Sequence, residues 1–132
     1  MYLIIRQEYL SSVIKKAKKS PIEICGLLLG RRGEDTFRVE EVHFITNRLN
    51  SPAGFEMDPL EMVRAIDGAE KRGIEVVGIF HSHTRCPPRP SGRDLRGMEL
   101  WPVVWLIVDR ERNYGAYVLR NGRVEKVDVK IV

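Results

Sequence analysis

Glu75-Val76-Val77-Gly78-Ile79-Phe80-His81-Ser82-His83 runs from β-branched and aromatic residues straight into a histidine pair. Such a run reads as a central strand. In an extended chain residues i and i+2 point the same way, so His81 and His83 present their imidazoles on one face at the strand's end. Two nitrogens so placed can grip one metal ion. Asp94 follows eleven residues after His83, across the proline-rich loop Thr84 to Pro90, from which its carboxylate can fold back as a third ligand. Three protein ligands with water in the fourth position mark a catalytic zinc site, where the pKa of that water falls toward about 7.

Taken singly, these signals also carry plainer readings. Two histidines at a strand end are often a solvated rim or a hydrogen-bonded core pair. Ser91-Gly92-Arg93-Asp94 has the form of a helix capping box, with Ser91 as N-cap and Asp94 folded back onto it. His43, inside another apolar run, reads as a packed or surface imidazole and not as a further ligand.

Working outward, Asp58-Pro59-Leu60-Glu61 starts a helix, with Asp58 as N-cap, Pro59 at N1 and Glu61 reaching back. That helix should end near Arg72-Gly73, where glycine can take the cap. Leu10, Val13, Ile14 and Ala17 recur at helical spacing between Arg6 and Lys19, with Ser20-Pro21 as the stop. Ile22 to Arg32 reads as a strand buried on both faces, its glycines marking close backbone approach, and Arg31 to Asp35 as a turn. A strand from Phe37 toward Asn47 alternates irregularly, which points to a bulge, and a loop runs through residues 50–54. Beyond the motif come a helical turn near Leu95 to Glu99 and strands over Val103 to Asp109, Tyr114 to Leu119 and Arg123 to Ile131. The last two are joined by an Asn121-Gly122 hairpin turn. Helices mixed with largely consecutive strands predict an α+β, sandwich-like domain.

At 132 residues, 43% hydrophobic and 30% charged, the chain fits one ordinary globular domain, taken as residues 1–132. The longest apolar runs fall far short of the roughly 20 residues that cross a bilayer, and the N-terminus lacks the basic segment and cleavage site of a signal peptide. No membrane partner and a cytoplasmic location are therefore expected. The net charge of +4 gathers mainly in Lys15-Lys16-Ala17-Lys18-Lys19, at a helix end where cations complement the dipole, so no nucleic-acid partner is expected. Two cysteines exclude a four-cysteine metal site. Abundant Lys, Arg and Glu beside the single glutamine Gln7 lean toward a thermophile.

His81-Ser82-His83, seven residues, then Ser91-x-x-Asp94 resembles the H-[ST]-H-x7-S-x2-D motif of the JAMM (MPN+) zinc peptidases at every specified position. Pro21 to Gly30 is similar to the strand that carries that family's glutamate, here Glu23, and the resemblance extends over roughly the whole chain. It implies an MPN, cytidine-deaminase-like fold: a curved mixed sheet flanked by helices. It also implies one Zn2+ per chain on His81, His83 and Asp94, with Glu23 as base and acid and Ser91 as donor to the oxyanion. Ser82, pointing away from the metal face, would hold the strand end. Members hydrolyse the bond after the C-terminal Gly-Gly of ubiquitin or a ubiquitin-like β-grasp modifier, and this short chain resembles the compact prokaryotic ones. Those act as isopeptidases on modifier conjugates or trim sulfur-carrier precursors; self-association is common among them, so a homodimer is one expected state, although no residue of the sequence specifies it. A non-catalytic MPN scaffold is the rival reading, weakened because no metal ligand is missing. Cys25, two residues from Glu23, and Cys86, in the loop after His83, are expected as neighbours able to form a disulfide; the plainer reading of Cys25 is a small buried apolar residue.

Overall fold

A computed structural model describes all residues, 1–132. Its frame is one mixed seven-stranded sheet, and the histidine strand lies inside it. The strands are β1 (Tyr2–Ile5), β2 (Cys25–Arg32), β3 (Thr36–Ile45), β4 (Glu75–Ser82), β5 (Val104–Val108), β6 (Tyr114–Arg120) and β7 (Arg123–Ile131). The helices are α1 (Gln7–Lys19), α2 (Pro59–Lys71) and α3 (Gly92–Leu100). β4 pairs antiparallel with β2 and parallel with β5, so it is central as its composition predicts. The spatial order β1-β3-β2-β4-β5-β6-β7 closes on itself, because β1 runs parallel to both β3 and β7. The expected mixed curved sheet is present, but it closes into a barrel instead of stacking as a sandwich. The closing strand, β1, has four residues and no alternation to reveal it.

The sheet separates two apolar clusters. On one side Leu10, Val13 and Ala17 of α1 pack with Leu28, Phe80, Leu106 and Val127. On the other, Ala65 and Ala69 of α2 and Met98 of α3 pack with Leu27, Leu29, Ile79 and Trp105. Leu27, Leu28 and Leu29 thus divide between the two faces, as a doubly buried strand requires. The irregular alternation of β3 is a bulge: Leu29 faces Glu41 and Gly30 faces Val39, leaving Glu40 as the extra residue. β2 begins at Cys25, later than the expected start at Ile22, and ends at Arg32 as expected.

The turn chemistry holds in detail, with one exception. Asp58 caps α2 by accepting from the N–H groups of Leu60 and Glu61. Gly73 follows the C-cap at φ 72°, and Asn121 and Gly122 make the hairpin turn at φ 52° and 74°. Glu61, however, does not reach back to its own N-cap. Its carboxylate accepts from Thr46 N at 3.0 Å, tying α2 to the end of β3, while Asp58 N donates to Thr46 O. α3 is a nine-residue helix where a single turn was expected. No helix is long and apolar enough to cross a membrane.

Gly26 shows why the apolar run of β2 contains a glycine. A Cβ there would stand 2.3 Å from His43 O and 2.3 Å from the Phe80 ring, which fills the space edge-on to Phe44. Gly26→Ala should therefore lower stability by about 1–3 kcal/mol, the usual cost of forcing a methyl into a filled core. Denaturant unfolding at fixed pH measures it, and an unchanged midpoint would contradict the packing described.

Candidate active site

β4 ends on the face covered by α2 and α3. There His81 is fully buried, His83 nearly so, and Asp94 joins them from the first turn of α3. His81 Nε2 lies 3.0 Å from Asp94 Oδ1, His83 Nε2 lies 3.0 Å from Asp94 Oδ2, and the two Nε2 atoms are 3.2 Å apart. All three residues offer a ligand atom within 4.8 Å of the others.

Whether these atoms suit a cation follows from their lone pairs. His83 Nδ1 faces Pro87 O at 2.8 Å, and a carbonyl only accepts, so Nδ1 carries the hydrogen and neutral His83 turns a lone pair on Nε2 inward. That lone pair meets the carboxylate and the second imidazole, a convergence of negative density that needs a proton or a cation between. The spacings of 3.0–3.2 Å come close to the edges, about 3.3 Å, of a tetrahedron with bonds of about 2.0–2.1 Å, the zinc–nitrogen length. The donor set fits zinc. His81 is held differently. Its Nδ1 is the one buried side-chain polar atom without a hydrogen-bond partner, so packing alone orients the ring. Phe55 stacks on it with centroids 4.6 Å apart, and Trp105 stands edge-on at 5.6 Å.

The charges follow the environment. Burial opposes ionisation of Asp94, but hydrogen bonds from His81, from His83 once it is protonated on both nitrogens, and from Ser91 N–H hold its carboxyl well below the usual carboxylate range. His81 is pushed below its ordinary value, chiefly by burial. His83 is also penalised by burial, yet its bonds to Asp94 and Pro87 O raise it. Glu23 lies just before β2, 6% exposed, in the same cleft. Burial lifts it to about 7, His83 opposes the rise, Asp94 adds to it and Arg93 opposes it. A carboxyl near neutrality beside a group of residues able to hold a metal ion is suited to taking and returning a proton.

Ser91 and Asp94 form the capping box that their spacing predicts. Ser91 Oγ accepts from Asp94 N at 3.2 Å and Asp94 Oδ2 accepts from Ser91 N at 2.9 Å, a complete capping box. The Ser91 hydroxyl proton has no protein partner and lines the cleft, free to donate into it. Ser82 behaves as a fastener: its Oγ accepts from Ile24 N and its N–H donates to Ile24 O, at 2.9 and 3.0 Å. His43 is exposed on β3, away from the cluster.

The expected neighbourhood of Cys25 and Cys86 is not what the fold makes. Both thiols are free. Cys25 points into the α2/α3 core with Leu27, Ile45 and Ile79, and its thiol faces Ile45 O at 3.4 Å, with burial pushing its pKa up to about 12. Cys86 is exposed on a loop that turns outward against residues 109–113.

The cleft has a volume of about 320 Å³ and an apolar wall including Phe55, Met57, Ile79 and Trp105. α3 can lie against that wall because a Cβ at Gly97 would stand 2.6 Å from the Trp105 ring. Asn47, Phe55 and Thr84 contact the site and are not marked by the motif spacing, since each acts through a loop whose course the sequence does not dictate.

Set against known proteins, residues 6–120 match the family model of prokaryotic homologs of the JAB domain. The chain belongs to the JAB (JAMM) family. Among its JAB relatives, the Desampylase of Pyrococcus furiosus is 52% identical over 130 residues, spanning 98% of this chain and 89% of that protein. The Desampylase of Haloferax volcanii is 31% identical over 113 residues, 84% of this chain and 79% of that one. A probable TtuB-protein conjugate cleaving protease of Thermus thermophilus is 32% identical over 107 residues, 80% of this chain and 68% of that one. The solution structure of protein DSY2949 from Desulfitobacterium hafniense superposes with a TM-score of 0.85 at 29% identity, covering 98% of this chain and 92% of the other.

The raised Glu23 makes a prediction for the metal-free protein. Its proton is retained in the fold between the ordinary value of 4.5 and about 7, so the fold is favoured at low pH and loses that advantage as pH rises through 7. Glu23→Gln should therefore match wild type near pH 4 and be more stable at pH 8, by up to about 3 kcal/mol. Denaturant unfolding in chelator at both pH values tests this, and equal stability at pH 8 would contradict the burial of Glu23.

Proposed function

We propose that the protein is a zinc-dependent isopeptidase that hydrolyses the bond after the C-terminal Gly-Gly of a ubiquitin-like small modifier and so releases the modifier from its conjugates. One observation carries this reading: Asp94 of the buried His81–His83–Asp94 cluster and the buried carboxyl of Glu23 line one cleft. The substrate class is supported by family membership and by the names of the relatives, two desampylases and a conjugate cleaving protease.

His81, His83 and Asp94 would hold the metal. When bound, zinc supplies positive charge that acidifies water and polarises a carbonyl oxygen. Glu23, buried in the cleft beside the cluster, takes the proton from the attacking water as the oxygen adds to the carbonyl carbon. It then delivers that proton to the departing lysine amine as the C–N bond breaks, leaving a carboxylate on the modifier. The free Ser91 hydroxyl donates to the oxyanion that develops between these steps. Pro87 O fixes the tautomer of His83 throughout. The reading carries with it one catalytic domain over residues 1–132, one zinc ion per chain, a cytoplasmic workplace and a homodimer.

The test is cleavage of a diglycine-tailed isopeptide conjugate by zinc-loaded wild type, Glu23→Gln and Ser91→Ala, with zinc content measured in each. Wild type should cut. Glu23→Gln should lose about 10²–10⁴-fold in rate with zinc retained. Ser91→Ala should lose about 10²–10³-fold in kcat, together with about 1 kcal/mol of stability from its lost cap. Chelation should abolish cleavage and zinc restore it. A linear fusion cut faster than the isopeptide would redirect the assignment to precursor processing, and zinc-loaded wild type inert on both would sink the peptidase reading.

A further inference from the structure

Glu23 belongs to neither the strand nor the helices that hold the metal ligands, so something else must fix it. Both of its backbone polar groups are held by the segment between β3 and α2, which folds as a small hairpin bridged at Asn47–Met57 and Ser51–Gly54. Glu23 N donates to Ser51 O at 2.9 Å, and Asn47 Nδ2 donates to Glu23 O at 2.9 Å.

Asn47 is 8% exposed and uses its whole hydrogen-bonding capacity. Besides Glu23 O, Nδ2 donates to Gly54 O at 3.0 Å, while Oδ1 accepts from Leu49 N and Glu56 N at 3.1 Å each. The nitrogen meets only carbonyls and the oxygen only N–H groups, so the amide has one workable orientation. One side chain therefore closes the hairpin and fastens it to the residue that carries the base. The same hairpin reaches every metal ligand or its neighbour. Phe55 stacks on His81, whose ring no hydrogen bond orients outside the cluster. Pro52 O accepts from Thr84 Oγ1 at 2.7 Å, next to His83, and the Arg93 guanidinium lies over Gly54, next to Asp94. Residues 53–57 also line the cleft.

We propose that Asn47 is the positioning residue for Glu23, setting the base against the metal cluster through the hairpin that also forms the cleft wall. The inference rests on the isopeptidase reading for its kinetic consequence and on the hydrogen bonds alone for its structural one. An asparagine is needed because no other side chain of that length supplies two donors and two acceptors. Aspartate keeps the acceptors for Leu49 and Glu56 but turns oxygen toward the carbonyls of Glu23 and Gly54, so Asn47→Asp breaks the link to the base selectively.

The experiment compares wild type, Asn47→Asp and a control, Val127→Ala, buried in the α1-side cluster away from the hairpin. On a diglycine isopeptide probe, zinc-loaded Asn47→Asp should lose about 10²-fold in kcat with KM and zinc content held, as expected for a misplaced base. Val127→Ala should keep its kcat despite lower stability. In the metal-free protein, Asn47→Asp should shift the Glu23 side-chain carboxyl ¹³C resonance and speed exchange of the Glu23 amide, leaving Leu27 and Ile79 protected. Unchanged Glu23 signals, or a kcat loss that only follows zinc content or folded fraction, would overturn the proposal. If wild type leaves the probe uncut, the isopeptidase reading fails, and the Glu23 resonance and amide exchange alone decide the role of Asn47.

Discussion

The reciprocal hydrogen bonds between Ile24 and Ser82 hold together the two strand ends on which the chemistry depends. β2 brings Glu23 to the cleft and β4 brings His81 and His83, from opposite directions along an antiparallel pair. Extended geometry turns alternate residues to opposite faces, so Ser82 can serve this clamp while His81 and His83 face Asp94. The clamp is buried and pairs backbone groups of both residues, which makes it costly to open. Two parts of the chain far apart in sequence thereby act as one site.

Within that site two carboxyl groups are set to opposite ends of their range. Asp94 receives three hydrogen bonds and stays ionised; Glu23, buried with a second negative charge nearby, sits near 7. One group thus suits metal binding and the other proton transfer, and the difference arises from surroundings alone. The same economy appears at Ser91, whose oxygen caps α3 while its proton remains for the cleft.

The hairpin of residues 47–57 adds a third layer. A strand end can aim a side chain, but it does not restrain a residue that precedes the strand. Glu23 is restrained by a loop that is itself restrained by the buried amide of Asn47. Phe55 performs the corresponding task for His81 by stacking, since the ring's outer nitrogen has no polar partner. Glu23 and His81 are therefore referred to a common element, which also shapes the apolar wall.

The parts of the candidate metal site were legible locally, but it was the motif's likeness to a family that joined them into one site. The period-2 rule fixes His81 and His83 on one face, and the capping-box spacing fixes Asp94 at the start of α3. The paired signature of Asp58-Pro59 and the Asn121-Gly122 turn were legible for the same reason: they need only neighbouring residues. Glu23 was found through the motif's likeness to a family, since nothing in its spacing links it to a cluster some 60 residues away. What only the tertiary structure decided was long-range. Closure of the sheet by the four residues of β1, the outward course of the loop that separates Cys86 from Cys25, and the hold of Asn47 on Glu23 each depend on which distant groups meet. Local spacing states where a side chain points along its own element; where elements meet is set by the burial of both faces of β2 and β4 and the pairing of buried backbone groups.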